Sequence, residues 1–304
     1  DGNYTSKCDT AAAEFQSKEA GTVDVVGSEE EILSKMRELI TILPANNEDD
    51  MSYGECEDDL NRVCESIENG MADPAVTLSM ISDNGYVFET KSSYAKDVVT
   101  GFIRLNGTTV GAVANRSVLF DEEGKEVEKF DGRMSAEGAQ KAADFVNFCD
   151  AFEIPVLTLT NVNGYEATKC QEKKLAKAVA SLNYAFANAT VPKVNVVVGN
   201  AYGSAYVTMN SKAIGADVVY AWTDATIGMM DANLAAKIIC ENQDEVSAKA
   251  AEYQQLQSSA MAAAKRGYVD DIIAPADTRK RVIAAFEMLF TKRENRPSKK
   301  HGTI

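Results

Sequence analysis

Gly203, Ser204 and Ala205 close the stretch Gly199-Asn200-Ala201-Tyr202-Gly203-Ser204-Ala205, and three small residues in a row can do chemistry with the backbone alone. Their side chains leave the main-chain N–H groups uncovered, and at a helix start such groups converge with the positive end of the helix dipole behind them. Donors so placed hold a developing oxyanion when they lie about 2.7–3.1 Å from it. The same residues also suit close packing of a helix on a sheet, and spacing alone leaves both readings open. A second loop, Asn161-Val162-Asn163-Gly164-Tyr165-Glu166-Ala167, has similar small and polar character.

Other catalytic constellations are missing from the sequence. Its one histidine, His301, is followed by only three residues, and a solvated tail holds no general base in geometry. Ser-His-Asp and Cys-His mechanisms are thereby excluded, and so is most zinc chemistry; no metal is expected. The six cysteines (Cys8, Cys56, Cys64, Cys149, Cys170 and Cys240) form no CxxC pair and read as reduced thiols. Glu48, Asp49, Asp50, Glu55, Glu57, Asp58 and Asp59 lack regular ligand spacing and read as a solvated acidic loop. Catalysis here must rest on positioning, on backbone dipoles, or on a borrowed cofactor.

The elements that would position the two loops follow from patterning. Ser28-Glu29-Glu30-Glu31 is a capping box, and Ile32, Leu33, Met36, Leu39, Ile40 and Leu43 continue at helical spacing until Pro44. Two strands, 102–105 and 110–115, flank an Asn106-Gly107 turn. An amphipathic helix over 135–152 runs into a buried strand at 154–160, and a helix over 169–188 into a strand at 194–198. The spacing predicts a third helix from residue 203 to about 214, a strand at 218–222, a short apolar segment at 227–230, and two or three closing helices. The last of these carries Val282, Ala285, Phe286 and Leu289. Alternating strands and helices of this length predict an α/β layered domain with a largely parallel sheet. Active sites of such sheets lie at the carboxyl ends of the strands, where both loops fall.

Composition bounds the setting. The 304 residues are 45% hydrophobic and 25% charged, with 46 acidic against 31 basic side chains and a net charge of −15. That balance repels nucleic acid and anionic membrane surfaces. No apolar run approaches the roughly 20 residues that span a bilayer, and a cytoplasmic location is expected. The polar stretch 1–27, opening on Asp1, suggests a piece of a longer polypeptide.

Several segments in order carry a family resemblance: Gly101-Phe102-Ile103-Arg104-Leu105-Asn106-Gly107, Val110-Gly111-Ala112-Val113-Ala114-Asn115, residues 141–155, Ala189-Thr190-Val191-Pro192-Lys193-Val194, Ala201-Tyr202-Gly203-Ser204-Ala205-Tyr206, Lys212-Ala213-Ile214-Gly215-Ala216-Asp217 and Gly267-Tyr268-Val269-Asp270-Asp271-Ile272-Ile273. From about Asp59 to Gly302 the chain resembles the C-terminal domain of biotin-dependent acyl-CoA carboxyltransferases. That family includes the propionyl-CoA carboxylase β-subunit and the glutaconyl-CoA and methylmalonyl-CoA decarboxylase α-subunits. The resemblance implies a crotonase-like (ClpP/crotonase) spiral of ββα units over residues 59–304, preceded by a helix and acidic linker region over 1–58.

It also implies carboxyl transfer between carboxybiotin and an acyl-CoA through a biotin enolate, with the cofactor itself as the base. Carried over by position, the catalytic residues are Ser204 and Ala205, as amide donors, and Gly203, which permits close approach. Asn163, Gly164, Tyr165 and Tyr206 fall at the cofactor, and Val207 where acyl-chain selectivity is tuned. Implied partners are a biotin carboxyl carrier protein or domain, an N-terminal carboxyltransferase domain holding most of the acyl-CoA, and further copies as a dimer or trimer of dimers. A membrane-bound decarboxylase subunit is an alternative partner, because direction is not encoded in this chain. Two departures from the family pattern stand out: Ser204 where Gly is common, and Asn161-Val162-Asn163-Gly164-Tyr165 where Asp-x-Pro-Gly-Phe is usual. A biotin-independent enoyl-CoA hydratase or isomerase, and a non-catalytic oligomerisation half, remain alternatives.

The remaining candidates have blander readings. Tyr220 and Trp222 suit core packing better than ligand stacking, and Met229 and Met230 suit a wall or an interface. Asp224 and Asp231 suit capping of the helices that follow. Lys292, Arg293, Arg296, Lys299 and Lys300 suit a solvated terminus better than a clamp for CoA phosphates.

Overall fold

Asn106 and Gly107 reverse the chain with both residues at positive φ, 51° and 74°, the two-residue hairpin geometry whose twist matches that of the strands it joins. Glycine is required at 107 for a second reason: a Cβ there would lie 1.8 Å from the Gly54 carbonyl oxygen. The computed structural model describes residues 9–46, 54–121 and 123–294. Within them the strands are β1 (Val87–Thr90), β2 (Val98–Leu105), β3 (Thr108–Asn115), β4 (Val118–Phe120), β5 (Glu126–Lys129), β6 (Arg133–Met134), β7 (Val156–Val162), β8 (Gly164–Tyr165), β9 (Lys193–Tyr202), β10 (Val218–Trp222), β11 (Thr226–Gly228) and β12 (Asp271–Ile273). The α-helices are α1 (Ala13–Lys18), α2 (Glu29–Ile42), α3 (Pro74–Ile81), α4 (Ala136–Ala151), α5 (Lys169–Asn188), α6 (Gly203–Thr208), α7 (Ala232–Ile239), α8 (Val246–Tyr253), α9 (Ala260–Lys265) and α10 (Thr278–Leu289).

The main sheet has the order β1-β2-β3-β7-β9-β10-β12, with β11 pairing β9 off that path. Pairing is antiparallel across β1, β2 and β3 and parallel from β3 to β12. Units of two strands and a helix recur as β7-β8-α5 and β10-β11-α7. Every residue of β7 is buried, as a parallel strand covered on both faces requires. Phe102 on β2 packs against Phe145 and Phe148 of α4, with ring centroids 5.1 and 6.1 Å apart. The capping box at Ser28 is present, and α2 sets Leu39, Ile42 and Leu43 against the same core.

Three expectations are corrected. The third helix does not reach residue 214: α6 ends at Thr208, Asn210 is left-handed (φ 51°), and a separate 3-10 turn covers Lys212–Ile214. The cause is long-range. Buried Asn195 donates its amide to the Met209 carbonyl at 3.1 Å, and Thr160 donates its hydroxyl to the same oxygen at 3.4 Å. The strand expected at 194–198 runs on through Tyr202, because its last residues pair with β11. Four α-helices, not two or three, follow β11 among the described residues, with β12 between the last two.

The acidic loop is also more structured than expected where it is described; Glu48, Asp49 and Asp50 lie outside the described residues. Asp58 takes two hydrogen bonds from Arg62, at 3.0 and 2.9 Å, which hold its carboxyl down at about 2. Beside it, fully buried Arg279 of α10 binds Asp83 at 2.7 Å and the Ile81 carbonyl at 2.6 Å. Asp83 in turn accepts from the amide of Gly107 at 2.7 Å, so one ion pair ties the last helix to the first hairpin.

Removing one member of a buried pair leaves the other charge uncompensated, so Arg279→Met is expected to cost about 3–5 kcal/mol, read from the urea midpoint. Asp58 has a folded-state pKa below its unfolded value of about 3.9, so its contribution is complete above that value and fades as pH falls toward 2. Asp58→Asn should flatten that part of the stability–pH curve; an unchanged acid limb would show that the Arg62 pair contributes nothing.

Candidate functional site

β7 and β9 are parallel neighbours, with Thr160 opposite Val197 and Val162 opposite Ala201. The 161–165 loop and the 203–205 turn therefore emerge side by side at the carboxyl ends of the sheet. β9 passes into α6 without a linker, and Gly203 makes the junction at φ +60°. A side chain there would be strained by the left-handed backbone, and its Cβ would stand 3.2 Å from the Met229 carbonyl oxygen. Ser204 is exposed, while the Ala205 side chain is buried. Both amides belong to the first turn of α6, where a helix provides no internal acceptor.

Across from the turn, the Tyr165 hydroxyl donates to the Ser204 carbonyl oxygen at 3.3 Å and is hydrogen-bonded to Thr208 Oγ1 at 3.1 Å. Burial raises this phenol's pKa, against the opposing effect of those two hydrogen bonds. Gly164 has nothing within 4 Å of where a Cβ would stand. Asn163 is exposed; its amide donates to the Asp131 carbonyl at 2.7 Å and its oxygen accepts from Asn200 Nδ2 at 2.8 Å. Thus Ser204, Ala205, Asn163, Gly164 and Tyr165 do share one edge of the sheet. Tyr206 points elsewhere: it is buried in the main core, its hydroxyl has no hydrogen-bond partner, and burial pushes its pKa up to about 12. Val207, one residue on, is half-buried.

Of the residues that join the two loops, Asn161 stood out from sequence as a departure from the family pattern, and Asn115 and Asn200 did not. Asn115, Asn161 and Asn200 stand at or near the carboxyl ends of the adjacent strands β3, β7 and β9, and they connect to one another. Asn161 donates its main-chain N–H to Asn115 Oδ1 at 3.3 Å, and its own Oδ1 accepts from the Asn200 amide at 3.0 Å. Asn200 Oδ1 accepts from Thr226 Oγ1 at 2.7 Å, and Thr226 is bonded to the Tyr202 hydroxyl at 2.9 Å. The recurrence of Asn at three strand ends was the available signal. Asn161 also donates through Nδ2 to the Met71 carbonyl and to Ser117 Oγ, both at 3.4 Å.

The other candidates fall into structural roles. Trp222 is buried and donates Nε1–H to Thr278 at 2.9 Å. Asp231 caps α7 through the amides of Asn233 and Leu234. Met229 is 80% exposed. Lys292 is not part of a solvated tail: it pairs with Asp217 at 2.9 Å. His301, Arg296, Lys299 and Lys300 lie outside the described residues. A cavity of about 570 Å³ is lined by residues of α2, β1, β2 and α4, Phe88 and Phe102 among them. It takes no wall from either loop, so geometry at the strand ends, not cavity size, marks the site.

The family model for the carboxyl transferase domain matches residues 2–304. The chain belongs to that family. It is 39% identical over 289 residues to a putative propionyl-CoA carboxylase beta chain of Bacillus subtilis, covering 91% of this chain and 55% of the relative. It is 38% identical over 283 residues to the methylmalonyl-CoA carboxyltransferase 12S subunit of Propionibacterium freudenreichii, covering 88% and 52%. A crystal structure of transcarboxylase 12S with hydrolysed methylmalonyl-coenzyme A bound superimposes with a TM-score of 0.85 at 36% identity, over 96% of this chain and 57% of that one. This carboxyl transferase domain has the crotonase-like fold, and the chain spans about half the length of the curated relatives it matches.

In this member of the family, Asn161→Asp sets a carboxylate oxygen against the Met71 carbonyl. That is expected to cost about 1–3 kcal/mol at neutral pH, with recovery on acidification as the carboxyl takes a proton. Thermal melts at two pH values check it; equal melting points for variant and parent at neutral pH would refute it.

Proposed function

We propose that this carboxyl transferase domain supplies the biotin-facing half of a site that moves a carboxyl group between carboxybiotin and an acyl-CoA, within a carboxylase or decarboxylase subunit. The observation that carries this reading is the pair of first-turn amides, Ser204 and Ala205, beside a loop held by neutral side chains. A ureido carbonyl that gains negative charge fits such a ledge, because the donors have no acceptor within the helix and no carboxylate is among the side chains bonded around them: Asn161, Asn163, Tyr165, Asn200, Thr208 and Thr226. Biotin, when bound, brings the carboxyl group and the basic atom that the chain's own side chains do not offer.

The chain's residues then have five tasks. Ser204 and Ala205 donate main-chain N–H groups to the developing negative charge. Gly203 sets the direction of those donors through its left-handed backbone. Asn163, Gly164 and Tyr165 form the facing wall, open at Gly164 and fixed at Tyr165, while Tyr206 backs α6 from the core. Val207 borders the acyl group. A hydratase or isomerase would need an acid or base at this edge, and the neutral ring of partners favours carboxyl transfer.

The acyl-CoA half of the site, the biotin carrier, a dimer or trimer-of-dimers assembly and a cytoplasmic setting are parts of the same proposal. No helix among the described residues is long and apolar enough to cross a membrane.

The test is biotin-dependent decarboxylation of malonyl-CoA by the natural subunit that contains this chain. Ala205→Pro deletes one donor and is expected to lower kcat by about 100-fold or more, with an unchanged circular dichroism spectrum. Undiminished turnover in a folded variant would sink the oxyanion assignment. Hydration of crotonyl-CoA without biotin would favour the hydratase reading instead.

A further inference from the structure

Asn200 makes more connections between the two loops than any candidate named so far. It lies three residues before Gly203 on β9 and reaches the facing loop twice. Its main-chain N–H donates to Asn161 Oδ1 at 3.0 Å and its side-chain Nδ2 donates to Asn163 Oδ1 at 2.8 Å. Its own oxygen is held from the other side, by Thr226 Oγ1 at 2.7 Å and the Tyr202 hydroxyl at 3.5 Å. Thr226 lies on β11, the strand that keeps the end of β9 extended up to the turn.

The orientation of these amides is over-determined. Asn163 Nδ2 is committed to the Asp131 carbonyl, so Asn163 can offer Asn200 only its oxygen, and Asn200 must answer with a donor. Thr226 and Tyr202 then meet the Asn200 oxygen. Neither amide can flip without setting donor against donor or acceptor against acceptor. A polar network satisfied in one arrangement alone fixes geometry more than it adds stability.

We propose that Asn200 is a positioning residue: it holds the 161–165 loop in register with the Ser204 and Ala205 amides, and so sets the width of the biotin-facing ledge. This rests on the carboxyl-transfer reading above. Asn200 itself touches no reacting atom; it acts through Asn163 and Asn161 on one side and through β11 on the other.

The informative variant is Asn200→Asp in the natural subunit. It keeps the shape, the main-chain donor and the acceptor for Thr226, but sets an oxygen against Asn163 Oδ1. With free biotin and malonyl-CoA, kcat/KM for biotin is expected to fall about tenfold to a hundredfold, the cost of a small misplacement, while KM for malonyl-CoA stays unchanged. Asn163→Ala should show the same split, and the double variant should be no worse than the poorer single one. A readout independent of turnover is hydrogen exchange. The amides of Asn161 and Asn163, bonded to Asn115 Oδ1 and the Gly132 carbonyl, should exchange about tenfold faster in Asn200→Asp with the global melting point unchanged.

Parent-like kinetics and exchange in Asn200→Asp would overturn the positioning role and leave the carboxyl-transfer reading standing. Equal losses for both substrates together with a lowered melting point would also overturn it, by showing a purely structural residue. If the parent protein itself shows no biotin-dependent turnover, the carboxyl-transfer reading falls and this role falls with it.

Discussion

A strand that becomes a helix with no linker has to change direction within one residue, and in this chain that residue is Gly203. Its left-handed backbone turns β9 into α6, and everything near the site follows from making that junction stable. β9 must stay extended to its last residue, so β11 pairs with 200–202 beyond Val197, where the pairing with β10 ends. The helix must begin at once, which leaves the amides of exposed Ser204 and buried Ala205 in its first turn with no internal acceptor. It must also be short, because Asn195 and Thr160 take the Met209 carbonyl from below. A six-residue helix has little dipole to offer, so any attraction for an anion comes from the two N–H groups and from what surrounds them.

The side chains hydrogen-bonded across the two loops are neutral in a chain whose net charge is −15. One carboxylate about 5 Å from a developing oxyanion would oppose it by about 3 kcal/mol at an effective dielectric of 20, which would cancel most of what a donor contributes. Amide and hydroxyl side chains avoid that opposition while still satisfying every group they touch. Asn161 illustrates the difference. Its oxygen receives the Asn200 amide and its nitrogen serves Met71 and Ser117, two demands that a carboxylate at that position would meet only in part.

What the sequence revealed was local. The Asn106-Gly107 hairpin, the Ser28 capping box, α5 and β10 are each specified by residues within a few positions, and each lies where patterning places it. The placement of the two loops at strand ends was legible as well, because the carboxyl end of a parallel strand is a topological property. What patterning missed depended on partners far along the chain. The extension of β9 requires β11, the end of α6 requires Asn195 and Thr160, and the anchoring of Lys292 requires Asp217. Asn200 escaped notice because an asparagine has no signature of its own. Its role is set by the three strands around it.

The row of strand-end asparagines, Asn115, Asn161 and Asn200, has a stiff end and an open end. Beside Asn115, Arg116 is buried and bonded to Asp73 at 2.9 Å and to Glu89 at 3.4 Å, and Asn161 reaches into the same region through Met71 and Ser117. These buried charges cannot move without losing their partners, so the floor of the site is rigid. At the other end Ser204 and Asn163 are exposed to water. Donors in contact with bulk solvent stabilise a nascent charge weakly, and they gain strength once water is excluded. On the proposed carboxyl-transfer reading, the Ser204 and Ala205 amides therefore reach full effect only when whatever brings the reacting group also excludes water from Ser204. On that reading the final electrostatic step belongs to the encounter with the group and not to the folding of this chain.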